Sequence, residues 1–158
     1  MSAAMPRFSA PVSALEGVSP DAWRRFVAAL EVQAVNEVSP KGALGAYAIR
    51  ARRMVELGYA TRLRTERRDG VQRQVCAFIL PWTEMRFLKD PLAQYTVLVK
   101  SMRAYYAALT SGELKVSEGL SKAGALAILH IGGKGALTGW PKLFDNTRAV
   151  YERAQGEF

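Results

Sequence analysis

The stretch EVQAVNEVSPKGALGAYAI, residues 31–49, decides how the chain is read. It opens on Glu31, which follows a segment of helical periodicity. Ser19-Pro20-Asp21 starts that helix with a capping hydroxyl, a proline in the first turn and an acid. Trp23, Phe26, Val27, Leu30 and Ala34 recur along it as one apolar face. Asn36 to Gly42 carries the Asn, Ser, Pro, Lys and Gly of a loop. Leu44 to Leu57 reads as a second helix, ended by Gly58. At about 100° per residue, Glu31 lies roughly 60–80° off the centre of the first apolar face.

Outward from this stretch the pattern changes. Residues 61–79 place Asp69-Gly70 between a basic run and Val71, Val75, Ala77, Phe78 and Ile79, which predicts a small β-hairpin. Pro81 ends it, and Trp82 to Leu88 reads as a short helix. Asp90-Pro91 opens a long helix with Leu92, Tyr95, Leu98, Val99, Met102, Tyr105, Tyr106 and Leu109 at helical spacing, closed by Ser111-Gly112. Ser121 caps a nearly wholly apolar helix, Ala123 to Ile131, which must be buried. The glycine-rich loop Gly132-Gly133-Lys134-Gly135 follows, and Asp145 or Asn146 starts a last helix to Ala154. The expected class is mainly α (α+β), with residues 1–18 an irregular N-terminal arm and residues 19–158 the domain.

Composition narrows the function. The 158 residues are 49% hydrophobic and 23% charged, which is globular rather than disordered. The lone Cys76 excludes an intrachain disulfide and reads as a small apolar residue of the second strand. One histidine and no CxxC or HExxH spacing leave no expected metal site, and no cofactor is expected. No stretch is long enough to span a bilayer, and residues 1–8 do not read as a secretory signal. The net charge of +8 favours a polyanion: nucleic acid, an anionic membrane surface or an anionic cell wall. Eight arginines between Arg50 and Arg73, against Glu56, Glu66 and Asp69, hold +5 of it. Tyr59 is the only aromatic among them, and no zinc-finger, RRM or basic-zipper pattern appears, so nucleic acid is the less favoured partner.

Three segments together resemble the lysozyme-like superfamily, in particular phage and bacterial muramidases and lytic transglycosylases. Glu31 followed by Ser39-Pro40-Lys41-Gly42-Ala43-Leu44-Gly45-Ala46-Tyr47-Ala48-Ile49 is similar to the family's catalytic Glu, a short loop and S-P-x-G-A-x-G-x-x-Q-I. Glu56-Leu57-Gly58-Tyr59 resembles the end of the next helix in phage members. Gly124 to Ala136 looks like the phage-type G-L-L-A-A-A-H-L-G-G-x-G-G. The resemblance covers roughly residues 20 to 158. It departs at Glu31-Val32-Gln33-Ala34, where the family has Glu-Ser-Gly-Gly, and at Ala48, where it has a sugar-contacting glutamine.

The resemblance implies a lysozyme-like domain that cleaves the β-1,4 glycan backbone of peptidoglycan, with Glu31 as general acid. Protonating a glycosidic oxygen near neutral pH requires a carboxyl that is partly desolvated yet reachable, which suits the rim of an apolar face. The alternative for Glu31 is a boundary residue paired with an arginine. Glu37 is the possible second carboxylate, or a solvated loop residue. Asp69 reads as a turn former. Tyr47, Ala48, Tyr59, His130, Gly132 and Gly133 are the implied substrate contacts. Core packing is the alternative for the tyrosines and for Trp140, and a core histidine for His130. The implied setting is a phage endolysin or a virion tail-associated lysozyme, with virion proteins as possible partners, acting on the periplasmic wall. Two rivals stay open: a virion or wall-binding protein that keeps the fold with weakened catalysis, and a basic nucleic-acid-binding domain.

Overall fold

The computed structural model describes residues 13–158. In chain order it contains α1 (Pro20–Ala29), α2 (Ala51–Glu56), β1 (Ala60–Arg68), β2 (Val71–Phe78), α3 (Glu84–Phe87), α4 (Pro91–Ser111), α5 (Lys122–Gly139) and α6 (Asp145–Ala154). The described residues are largely helical with one two-stranded antiparallel sheet, an α+β class. The described residues divide into two compact units. The first is Val32–Lys100. The second joins residues 13–31 to Ser101–Phe158. The break falls within α4, so each unit receives one half of that helix.

In the first unit, the hairpin forms where the sequence predicts it. Asp69 and Gly70 both take positive φ, 51° and 77°, as a two-residue turn matched to strand twist demands. The strands pair from Arg68↔Val71 to Ala60↔Phe78, with an irregularity between Thr61 and Arg64 where Arg62 adopts φ 54°. The Trp82–Leu88 helix shortens to α3, whose N-cap Thr83 accepts from the Arg86 N–H. The Leu44–Leu57 helix is corrected: only Ala51–Glu56 is helical. Residues 38–49 instead form a tight loop with isolated bridges Val38↔Leu44 and Leu44↔Ile49. Gly45 and Ala48 take φ 74° and 49°, which no right-handed helix accommodates. The apolar residues Leu44, Ala46, Tyr47 and Ile49 are buried all the same, by the loop's folding rather than by a helical face.

In the second unit, Ser19 Oγ accepts from the Ala22 N–H and caps α1, whose Trp23, Phe26 and Val27 are buried. The helix stops at Ala29, so Ala34 leaves the predicted face and is exposed. It stops because the Val32 and Gln33 N–H groups donate to Ala46 O, at 2.8 and 3.3 Å, instead of to the preceding turn. Phe26 also meets Phe158, with ring centroids 5.1 Å apart. Ser121 caps α5, and every residue from Ala123 to His130 is buried. Leu126, Ile128 and Leu129 are wholly inaccessible, and each contributes about 1.5–3 kcal/mol over exposure. The expected loop at Gly132–Gly135 is corrected to a kink: Gly133, at φ 77° and ψ −172°, breaks the helix, which resumes to Gly139.

The long helix α4 keeps its predicted limits, but its buried face is rotated. Gln94, Val97, Leu98, Ser101, Met102, Tyr105 and Leu109 are buried, whereas Leu92 is exposed and Tyr95, Val99 and Tyr106 are half-buried. Of the arm placed at residues 1–18, residues 1–12 lie outside the described residues. Residues 13–18 have no regular structure yet belong to the second unit's core. Leu15 and Val18 are buried, and Arg103 and Tyr106 of α4 donate to the Ala14 and Glu16 carbonyls.

Candidate functional site

Glu31 is the last residue of the second unit's first segment. Its N–H donates to Ala28 O at 3.2 Å, so it continues the last turn of α1. That turn is pinned from α6, where Arg153 donates to Ala29 O at 3.0 Å. A cation on the last carbonyls suits a helix C-terminus, and α1 has no basic residue of its own there. Arg25 adds an ion pair to Glu157 at 2.7 Å. Glu31 itself is half-buried. Among the described residues it forms no ion pair, so the arginine-paired alternative is not what the structure shows.

The segment after Glu31 is braced within the first unit. Ala46 O takes the Val32 and Gln33 N–H groups, and the Gln33 amide donates to Ala43 O at 3.0 Å and Glu37 O at 3.3 Å. The centre of the brace is Gln94, wholly buried on α4. Its Oε1 accepts from the Ala46 N–H at 2.9 Å, and its Nε2 donates to Val35 O at 2.8 Å and Phe87 O at 3.0 Å. A Cβ on Gly45 would lie 2.3 Å from that Oε1. On the other side, Gln74 of β2 donates to Lys41 O at 3.1 Å. A Cβ on Gly42, at φ 97°, would lie 2.2 Å from Gln74 O. The two glycines of the S-P-K-G-A-L-G segment thus let the loop close against the hairpin and against α4.

The remaining candidates divide between the units. Glu37 is exposed, and its Oε1 accepts from the Ala34 N–H at 3.0 Å, so its carboxylate caps the local turn. Tyr47 is fully buried, and its ring belongs to the first unit's core instead of a sugar-stacking surface. Ala48 is half-buried in left-handed backbone. Tyr59 is half-buried beside a cavity of about 270 Å³ that neither Tyr47 nor Ala48 lines, with the Lys100 ammonium 4.9 Å from its ring centre. In the second unit, His130 is buried within α5, Gly132 is exposed and Gly133 is buried at the kink; Trp140 is half-buried. Asp69 serves its turn. No group of three His, Cys, Asp or Glu side chains gathers as a metal site among the described residues. No helix among them is long and apolar enough to cross a membrane.

The hairpin carries Arg62, Arg64, Arg67 and Arg68, all exposed. Glu66 is held below the usual carboxylate range, chiefly by its hydrogen bond from Arg73, and Arg64 adds to this. Cys76 is half-buried on β2, and burial, reinforced by the Glu84 charge, pushes its thiol up to about 11. Sequence reasoning missed Gln94 and Trp82. The signal for Gln94 was a polar residue in the first turns of an otherwise apolar helix stripe. For Trp82 it was an aromatic directly after a strand-ending proline.

Comparison of the chain with protein-family models, with curated proteins and with solved structures finds no match.

Proposed function

We propose that the chain is a peptidoglycan-cleaving enzyme of lysozyme-like architecture, with Glu31 as the general acid. The observation that carries the reading is the placement of Glu31. It stands directly after α1, half-buried, with no ion pair among the described residues and both flanks fixed by hydrogen bonds. A carboxyl so held delivers a proton to a glycosidic oxygen without first leaving a cation. Glu37 is committed to the Ala34 N–H, which favours a single-carboxylate course. Glu31 protonates the leaving oxygen, then accepts the proton of the substrate's own hydroxyl as that oxygen closes an anhydro ring. The exposed hairpin arginines supply the positive charge that attracts the anionic wall. Virion proteins and the infected host's periplasmic wall are the proposed setting.

The test is clearing of a peptidoglycan suspension by the purified chain. Glu31→Gln abolishes clearing, and mass spectrometry of the products finds anhydro ends. Unchanged clearing by Glu31→Gln removes Glu31 from the mechanism, and reducing ends make the enzyme a hydrolase. One observation favours a second reading: Ala48, at the family's glutamine position, sits in left-handed backbone at φ 49° and offers no amide. A wall-binding protein with weakened catalysis would bind peptidoglycan and release no sugar.

A further inference from the structure

The first unit carries a cavity of about 270 Å³ that the chemistry proposed for Glu31 leaves unassigned. Its walls come from α2, the ends of the hairpin, α3 and the first turns of α4, all within residues 32–100. Four aromatic rings line it: Tyr59, Phe78, Trp82 and Phe87. Phe87 links two of the others, with its ring centre 5.5 Å from that of Phe78 and 6.5 Å, edge-on, from that of Trp82. The rest of the wall is mainly aliphatic. Cavities for drug-sized ligands run from about 300 to 1,000 Å³, so the occupant of this one is small.

Charge decides what the cavity accepts. Among the described residues, Asp90 is the one charged side chain that lines it. Asp90 is half-buried and forms no ion pair among the described residues. Its Oδ1 accepts from the Ala93 N–H at 2.9 Å, and its Oδ2 accepts from no described residue. Thr96, also in the wall, gives its hydroxyl proton to Leu92 O at 2.9 Å. Two cations stand against lining rings, Lys100 at 4.9 Å from the centre of Tyr59 and Arg86 at 4.7 Å from that of Trp82. Both are held by carbonyls, Lys100 donating to Leu57 O at 2.9 Å and Arg86 to Pro81 O at 3.3 Å, and neither lines the cavity. The cavity therefore offers aromatic rings and one carboxylate oxygen without a partner, and both attract a cation. An anion would meet the carboxylate. A neutral apolar molecule would desolvate Asp90 and give it nothing in return. A sugar would bring many hydroxyls to a wall of rings and aliphatic chains. The exposed hairpin arginines act through solvent, where charge is screened over about 8–10 Å, whereas Asp90 is in the wall itself.

We propose that this cavity binds a small organic ammonium, an ammonium group carried on an aromatic or aliphatic body. The rings enclose the body, and Asp90 pairs with the ammonium. The site is independent of the chemistry at Glu31.

The experiment titrates the full chain with three probes of similar shape: cationic 2-phenylethylammonium, neutral 2-phenylethanol and anionic phenylacetate. Binding is followed by NMR at the Trp82 indole N–H, which Trp82→Phe identifies among the chain's three tryptophans. The ammonium moves that signal with a Kd on the order of 1 mM. The alcohol binds about tenfold more weakly, and phenylacetate leaves the signal unmoved. Asp90→Asn keeps the cap on Ala93, because asparagine caps as well as aspartate, and it lowers the ammonium to the alcohol's affinity. Ala93→Leu fills part of the cavity and weakens the ammonium about tenfold or more. Thermal unfolding checks that both variants fold. Glu31→Gln binds the ammonium like the parent, which separates this site from the proposed catalysis. A Trp82 signal that no probe moves overturns the proposal. Equal affinity for alcohol and ammonium overturns it by making the cavity a neutral apolar site, and tighter binding of phenylacetate overturns it by giving the site to anions. Undiminished ammonium binding by Asp90→Asn overturns it as well.

Discussion

Replacing Gln94 by leucine tests whether the loop after Glu31 is held by one buried amide. The substitution keeps nearly the same volume and removes three hydrogen bonds, to the Ala46 N–H and to the Val35 and Phe87 carbonyls. Gln94 and Ala46 are both buried, so the groups left behind are poorly placed to find water. Each unsatisfied buried group costs about 1–3 kcal/mol. The extra apolar burial of leucine offsets part of this, leaving a net loss of roughly 3–5 kcal/mol. Against a total stability of about 5–15 kcal/mol this is a large fraction. At about 2–4 °C per kcal/mol for a domain of this size, the unfolding midpoint falls by roughly 10 °C. Urea and thermal unfolding followed by far-ultraviolet circular dichroism measure it. A Gln94→Leu variant within about 1 kcal/mol of the parent would refute the brace, because three stranded polar groups cannot be that cheap.

Gly42→Ala forces a Cβ to 2.2 Å from Gln74 O at φ 97°; an urea midpoint shift equivalent to about 2–4 kcal/mol is expected, and Gly70→Ala, which meets nothing within 4 Å, should lose less. Cys76, with its thiol at about 11 instead of an ordinary 9.0, should react with iodoacetamide at pH 8 roughly a hundredfold more slowly than in the urea-unfolded chain. Equal rates would show the thiol to be unburied. Neutralising Arg62, Arg64, Arg67 and Arg68 to glutamine should weaken retention on wall fragments and flatten its salt dependence. These side chains are exposed, so the unfolding midpoint should change by no more than a few degrees, and unaltered retention would remove the hairpin from wall binding.

The local signals read correctly where the physics is local. Ser19 and Ser121 cap helices through hydrogen bonds to residues three positions on. Asp69-Gly70 sets the hairpin because the turn needs two positive φ values. The nearly apolar run before Gly132 could satisfy its side chains only in a buried helix. Glu31 was a candidate through the family resemblance, to which its place at the rim of the first apolar face was added.

The failures share one cause. Residues 44–50 carry helix-compatible residues, yet they are a loop, because Ala46 takes its partner from Gln94, 48 positions away. Helix α1 ends before Ala34 because the N–H groups of Val32 and Gln33 find the Ala46 carbonyl. Of the two roles open to Tyr47, sugar contact or core packing, its burial is that of a core residue, and the face of α4 is rotated toward Gln94 and Ser101. By itself the sequence determined the helix starts, the hairpin and its turn, the burial of α5 and the concentration of positive charge. Tertiary structure decided where α1 stops, how residues 31–49 fold and which aromatic groups stay accessible. Buried polar groups must pair wherever a partner is found, and here the partners lie far along the chain.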